Sequence, residues 1–200
     1  MEGKAEISSD GGRTFAPLRL ADHPGKGAIL RVASGSHVAL APLPNALIQL
    51  EGDSTLEIVR IALTKDGNET GSDMRGRFVD LKLINGRMLT SHTWGEAIAR
   101  FTVTTPHGEL IVTSNALVTL ETDAARTRLT CASGSLGFRP KEASSTTRIA
   151  SGFAAKTSGT TLDVTPADAE PATQDNLVEA LQLEQKLRDL AGRNRNALPR

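Results

Sequence analysis

A short phrase recurs along this chain: apolar residues alternate with polar ones, a glycine interrupts, and the alternation resumes. Leu30, Val32, Gly35, Val38 and Leu40 make one copy, and Ile48, Leu50, Gly52, Leu56 and Ile58 make the next. The phrase returns as Leu81, Leu83, Gly86 and Met88, as Val103, Gly108, Leu110 and Val112, and as Leu129, Cys131, Gly134, Leu136 and Phe138. Alternation at period two marks a pleated strand with one buried face. A glycine between two such runs supplies the backbone freedom of a turn. The chain is therefore expected to be all-β, its hairpins stacked into a short solenoid-like roll. A spacing of roughly twenty residues suits a two-layer sandwich as the alternative.

Residues 3–20 read as a hairpin turning at Asp10-Gly11-Gly12. Strands are expected at 28–33, 36–41, 46–51, 54–63, 77–84, 87–92, 98–105, 109–113, 116–122, 126–132 and 135–139. The stretch 64–76 is polar, has no apolar period, and reads as a loop. Past Lys141, weak alternation at Thr147, Ile149, Phe153, Leu162 and Val164 suggests final strands. The β domain is thus placed at 3–165. A linker at 166–173 carries Pro166 and Pro171, an amphipathic helix follows at 174–192, and a basic frayed terminus at 193–200.

The helix reading rests on the three-to-four spacing of Leu177, Ala180, Leu183 or Glu184, Leu187 and Leu190. Thr173 can cap its start, and Gly192 can close it. Asp175 and Glu179 sit near its positive end, Lys186 and Arg188 near its negative end. The stripe is too short for a coiled coil. It can cover an open β edge of its own domain, or dock on another chain.

Composition removes several function classes. Basic and acidic side chains number 23 each, so no excess charge steers the chain to nucleic acid or an anionic membrane. Five Phe, one Trp and no Tyr leave little for a sugar-stacking cleft. Cys131 is a single cysteine, which rules out an intramolecular disulfide or thiolate cluster. It alternates with Leu129 and reads as a small buried hydrophobe. No apolar run approaches the roughly 18–20 residues of a spanning helix, so membrane insertion is not expected.

Catalytic signatures are missing. His23 and His107 stand in turns beside prolines, while His37 and His92 adjoin strands at expected surface positions; none has zinc-ligand spacing. Ser133-Gly134-Ser135 fits a turn and not a nucleophile elbow. Glu51, Asp53, Glu57, Asp80 and Glu121 fall on polar faces or turns. Gly25-Lys26-Gly27 is too short for a phosphate loop, and Asp66-Gly67-Asn68-Glu69 lacks the twelve-residue ligand spacing of a calcium loop. The expectation is a non-enzyme with no metal and no cofactor. Trp94 and His92, with Leu183 and Leu187 of the helix, are the candidate partner-binding residues.

The segment Ala99 to Phe138 resembles the FecR domain, named from the ferric-citrate regulator. Phe101, Val103, Thr105, Pro106 and Gly108 carry a strand ending in Thr-Pro-x-Gly. Thr127, Leu129, Gly134, Leu136 and Phe138 carry the closing strand–glycine–strand element. The lead-in Gly3 to Ile7, Asp10-Gly11-Gly12, Leu18, Gly27 to Val32 and Ser54-Thr55-Leu56 extends the resemblance over about 3–139. Thr113-Ser114-Asn115 and Leu117 replace the Gly-Thr and aromatic usual at the family's kink. The resemblance implies an exported all-β scaffold in the periplasm, at the cell surface or outside the cell. The sigma-signalling members add a membrane helix and a cytoplasmic segment, which this sequence lacks, so signalling itself is not implied. Met1 is expected to replace a removed leader. The partner is expected to be a protein or a cell-surface polymer. The alternatives are self-association into an oligomer or fibre through strand edges or the helix, and a hydrolase on a β scaffold.

Overall fold

Glycines set the path of this chain between two β layers. The computed structural model describes residues 3–19, 22–43, 46–64, 76–93 and 98–169, together with Gln174, Asp175, Val178, Ala180, Leu181, Gln182 and Gln185, which are helical. The chain starts in the first layer, where β1 (Ala5–Ser8) lies between β2 (Ala16–Pro17) and β3 (Ile29–Val32). After Gly35 it crosses to the second layer and forms the antiparallel pair β4 (His37–Leu43) and β5 (Ala46–Glu51). After Gly52 it returns as β6 (Ser54–Thr64), paired with β3. The long strand β7 (Gly76–His92) follows. Its first half pairs with β6, and its second half pairs with β5.

In the first layer, β8 (Ile98–Thr105) lies parallel to β7, and β9 (Gly108–Val112) turns back on β8. In the second layer, β10 (Ala116–Thr122) pairs with the end of β7. A second long strand, β11 (Thr127–Pro140), begins beside β10 and ends beside β9. Next come β12 (Thr147–Ala150) in the first layer and, past Gly152, β13 (Phe153–Ser158) and β14 (Thr161–Pro166) in the second.

Because β7 and β11 belong to both layers, β7, β8, β9, β11 and β10 close on one another as a small barrel. Closure removes the edges of these strands. Phe101, Phe138, Leu110, Met88, Val118 and Cys131 fill its interior and are fully buried. Outside the ring the layers diverge. On the β7 side they continue as β6–β3–β1–β2 and as β5–β4; on the β11 side they continue as β12 and as β13–β14.

The structure corrects the reading of glycine as turn. Gly108 closes a hairpin, but Gly35, Gly52, Gly86 and Gly134 lie where the chain passes from one layer to the other. The strands expected at 77–84 and 87–92 are a single β7, and those at 126–132 and 135–139 are a single β11. In β7 the buried positions change from odd (Val79, Leu81, Leu83) to even (Met88, Thr90, His92) across Gly86. In β11 they change from Leu129 and Cys131 to Leu136 and Phe138 across Gly134. A bulge just before each glycine, at Ile84 in β7 and Ala132 in β11, shifts the pleat and keeps apolar side chains inward in both layers.

Both corners require glycine. Gly86 has φ 100° and Gly134 has φ 78°, in the region L-residues avoid. A Cβ on Gly86 would lie 2.2 Å from Ser54 Oγ, and one on Gly134 would lie 1.9 Å from the Asn115 carbonyl oxygen. Ser54 fixes the first corner: its Oγ accepts the Arg87 N–H at 2.9 Å and donates to the Arg87 carbonyl at 3.1 Å. At the same end of the barrel, buried threonine hydroxyls join three hairpins. Thr122 Oγ1 meets Thr127 Oγ1 at 2.8 Å, Thr127 Oγ1 donates to Thr105 Oγ1 at 2.9 Å, and the Thr127 N–H donates to Thr157 Oγ1 at 2.8 Å.

The outer face of the second layer is zoned. One row across the strands reads Glu51, Arg87, Glu121, Arg128, Lys156, Asp163, opposite charges adjacent except at Arg128–Lys156. Deeper on that face, Leu89, Leu117 and Ala132 pack with the helical Ala180. The C-terminal helix thus lies on its own domain. Val178 and Leu181 point to solvent. Thr173, Leu177, Leu190 and most of the loop expected at 64–76 lie outside the described residues. Where the linker was expected, Pro166 ends β14, and Ala167–Ala169 form a 3₁₀ turn with Ala167 buried.

Gly86→Ala and Gly134→Ala should each lower stability by roughly 2–4 kcal/mol, the sum of positive-φ strain and a steric clash. Gly152→Ala, with φ 80° and open space around the new Cβ, should cost only about 1 kcal/mol. Urea unfolding of the three variants measures the order.

Candidate functional site

The layers part on the β7 side, and a cavity of about 340 Å³ opens between them. Leu40 and Ile48, inward residues of β4 and β5, form one wall; Leu56, Ile58, Ile61 and Leu81, from β6 and β7, form the other. Two consecutive backbone runs bound its mouth: Ala39–Pro42 of β4 and Asp22–Pro24 of the segment between β2 and β3. β4 ends its layer and pairs only with β5 among the described strands, so its outer edge carries backbone groups with no strand partner. Pro42 on that strand is tolerated because an edge needs fewer donors.

The Asp22 side of the mouth is held by its own hydrogen bonds. The Arg19 N–H donates to Asp22 Oδ2 at 2.7 Å, and the Asp22 N–H donates to the Arg19 carbonyl at 3.0 Å. A second hollow of about 350 Å³ lies behind this segment, against Ile7, Ala16 and Pro17. The main cavity is lined by aliphatic side chains, with Asp22 and His23 as its titratable residues. It can hold apolar groups and offer a strand edge. It presents no nucleophile with a base beside it.

The candidate partner-binding residues are not brought to this cavity as a group. Trp94, Leu183 and Leu187 lie outside the described residues. His92, expected at the surface, is 2% exposed. It follows Gly86 on β7, and the change of pleat turns it into the barrel. Its ring lies 4.2 Å, centroid to centroid, from Phe101. Thr90 Oγ1 lies 2.7 Å from His92 Nε2 and 3.2 Å from the Leu47 carbonyl oxygen. Burial lowers the His92 pKa to about 3.

His23 stands at the cavity mouth, His37 on β4, and His107 in the β8–β9 turn, 3.0 Å from the Asp123 carbonyl. The acids on polar faces meet basic neighbours across strands: Glu51 with Arg87, Glu57 with Lys82 at 3.6 Å, Asp80 with Arg60 at 2.7 Å, and Glu121 with Arg128 at 3.8 Å. Among the described residues no three side chains of metal-ligand type converge. Cys131 is fully buried, and burial pushes its thiol up to about 11. Its surroundings hold it protonated and unreactive at neutral pH.

Sequence reasoning identified Leu40, Ile48, Leu56, Ile58 and Leu81 as strand residues facing a core, but not as walls of a cavity. Alternation tells which face is apolar; it does not tell whether an opposite layer covers that face.

The fold defines the class first: an all-β domain, a small barrel with diverging layers on both sides and one short helix near the C-terminus. No protein-family profile matches the chain, and no curated protein matches it. Among solved structures it is similar to two crystal structures of a candidate anti-sigma factor from Parabacteroides distasonis. One aligns at 15% identity with a TM-score of 0.49, the other at 14% identity with a TM-score of 0.50. Each alignment covers 69% of this chain and 59% of that one, so this chain spans well under two thirds of the neighbour's length. The likeness is one of fold. Among the described residues no helix is long and apolar enough to cross a membrane.

The buried His92 makes stability depend on pH. An unfolded histidine takes up its proton near pH 6.5, whereas the folded one stays neutral until about pH 3. Between those values the unfolded state binds more protons, so stability falls as pH falls, by at most about 1.4 kcal/mol per pH unit. Asp10, which accepts from Thr14, Ser8 and Arg13, and Asp123, which accepts from Ala125 and Arg126, are held below the usual carboxylate range. Both add losses of the same sign only below about pH 4. Stability should therefore drop by about 2 kcal/mol from pH 7 to 4.5. His92→Phe should flatten that limb; an unchanged slope in denaturant titrations would contradict it.

Proposed function

We propose that this chain is a non-catalytic binding module of FecR type. It works in the cell envelope or outside the cell and takes an extended segment of another protein along β4. The observation that carries this reading is the pairing of an open strand edge with an aliphatic cavity, at Ala39–Pro42 and Leu40, Ile48, Ile61. Strand addition satisfies the edge's backbone groups, and alternate side chains of the incoming strand enter the cavity. The cavity's volume is within the range of small-ligand sites, enough for one or two aliphatic side chains beside a strand. The resemblance over about 3–139 supports an exported scaffold, and the fold likeness to the Parabacteroides protein fits a regulatory module.

A photo-crosslinking residue at Ala39, used in host envelope, tests the proposal. The expected adduct maps to one segment of one protein with aliphatic residues at alternate positions. Ile61→Trp, which fills the cavity, should reduce its yield at least about tenfold. Adducts scattered over many proteins, or a yield unchanged by Ile61→Trp, would refute the β4 site.

A further inference from the structure

An arginine stands on the inward face of the first layer. In the first half of β7 the odd-numbered residues face inward, and Arg77 continues the row of Val79 and Leu81. The inward row of β6 is Ile58, Ile61 and Leu63, with Ile61 opposite Val79 and Leu63 opposite Arg77. On its other flank Arg77 stands beside Ala99 of β8. Ile58, Ile61 and Leu81 line the aliphatic cavity. Arg77 and Leu63 therefore stand one pleat repeat, about 7 Å, beyond Val79 and Ile61 on the same face. Leu63 is 42% exposed, so the row is still aliphatic and uncovered where it reaches the arginine.

Among the described residues nothing neutralises this cation. Arg77 Nε and Nη1 are shielded from solvent and have no hydrogen-bond partner. Asp80 and Glu57, on the same strands, project from the outer face, where Arg60 and Lys82 hold them. A guanidinium shielded without a partner has lost hydration with no return, and an anion that reaches it supplies both charge and acceptors. One guanidinium carries a single charge on a planar set of donors, which matches one carboxylate. Asp22 bounds the cavity from the other flank of β6, in the segment that leads into β3, where the Gly27 N–H donates to the Ile58 carbonyl at 2.7 Å. Its charge repels an anionic group, so the negative end of an occupant is directed to Arg77.

We propose that the space between the layers binds an aliphatic carboxylate. The chain lies in the cavity against Ile48, Ile61 and Leu81, and the carboxylate pairs with Arg77. A volume of about 340 Å³ walled by aliphatic side chains is within the range of small-ligand sites. This goes beyond strand addition at β4 and makes no use of that edge. The chain takes the space that side chains of an incoming strand would fill, so the two occupants exclude one another.

Titration calorimetry of the full chain with octanoate tests the proposal, with octanol as the uncharged control. Octanoate should bind one to one. Hexanoate should bind about fifteenfold more weakly, since each buried methylene is worth about fourfold. Octanol, which brings no charge to Arg77, should bind at least about tenfold more weakly than octanoate. Arg77→Leu should reduce octanoate affinity to the level of octanol and leave octanol unchanged, whereas Ile61→Trp should remove both. Arg77→Leu should also raise the urea midpoint of the free protein, because it removes an unpaired, shielded charge. Five results would each overturn the proposal: no octanoate binding, equal affinity for octanoate and octanol, an octanoate affinity unchanged by Arg77→Leu, one unchanged by Ile61→Trp, or an Arg77→Leu midpoint that does not rise. Arg77 takes no part in the β4 edge, so failure here leaves the Ala39 adduct standing, and loss of that adduct leaves octanoate binding standing.

Discussion

Two strands here are shared between two layers, and the glycine corners that allow it organise everything else. At Gly86 and Gly134 the backbone adopts positive φ and passes within contact of Ser54 and Asn115. Just before each corner one residue, Ile84 on β7 and Ala132 on β11, bulges out of the ladder and shifts the pleat by one, so that Leu83 and Met88 on β7, and Cys131 and Leu136 on β11, all face the same interior. Without the shift, one half of each strand would turn its apolar set to water. With it, the ring closes and no central edge remains to be protected.

Closure at the centre leaves opening at the sides. A barrel of this size ties β7 to β11 through its ring, but the strands that flank it pair only within their own layer, and the layers part there. The β7 side holds an aliphatic cavity beside the β4 edge; the β11 side exposes Phe153 and Val164 along β14. The outer face of the second layer is covered differently. Its rim is a charged row, and its apolar patch at Leu89, Leu117 and Ala132 is taken by Ala180 of the C-terminal helix. Among the described residues, the open strand edges and the cavity between the layers are thus the features left uncovered.

Much of the fold was legible because side-chain alternation is a local record of burial. Nearly every inward residue, from Leu30 to Phe138, could be placed on a buried face from its neighbours alone. Asn85-Gly86 was misleading for a physical reason. The same positive φ serves a tight hairpin and a corner, and the choice between them depends on Ser54, thirty-odd residues away. The change from odd to even apolar positions was the one local sign of a bend. His92 was misplaced for the same cause, since its orientation depends on that shift. The cavity was not legible at all, because Leu40 and Ile61 are ordinary strand residues until the divergence of the layers is known.

Native-state amide hydrogen exchange followed by NMR addresses the shared-strand architecture most directly. If β7 and β11 run unbroken through both layers, amides on either side of Gly86 and of Gly134 exchange together, in the slowest class set by global unfolding. Those of β1, β2 and β14 exchange faster through local opening. Independent exchange of residues 77–84 and 88–92, with separate opening energies for the two halves of β7, would contradict the account.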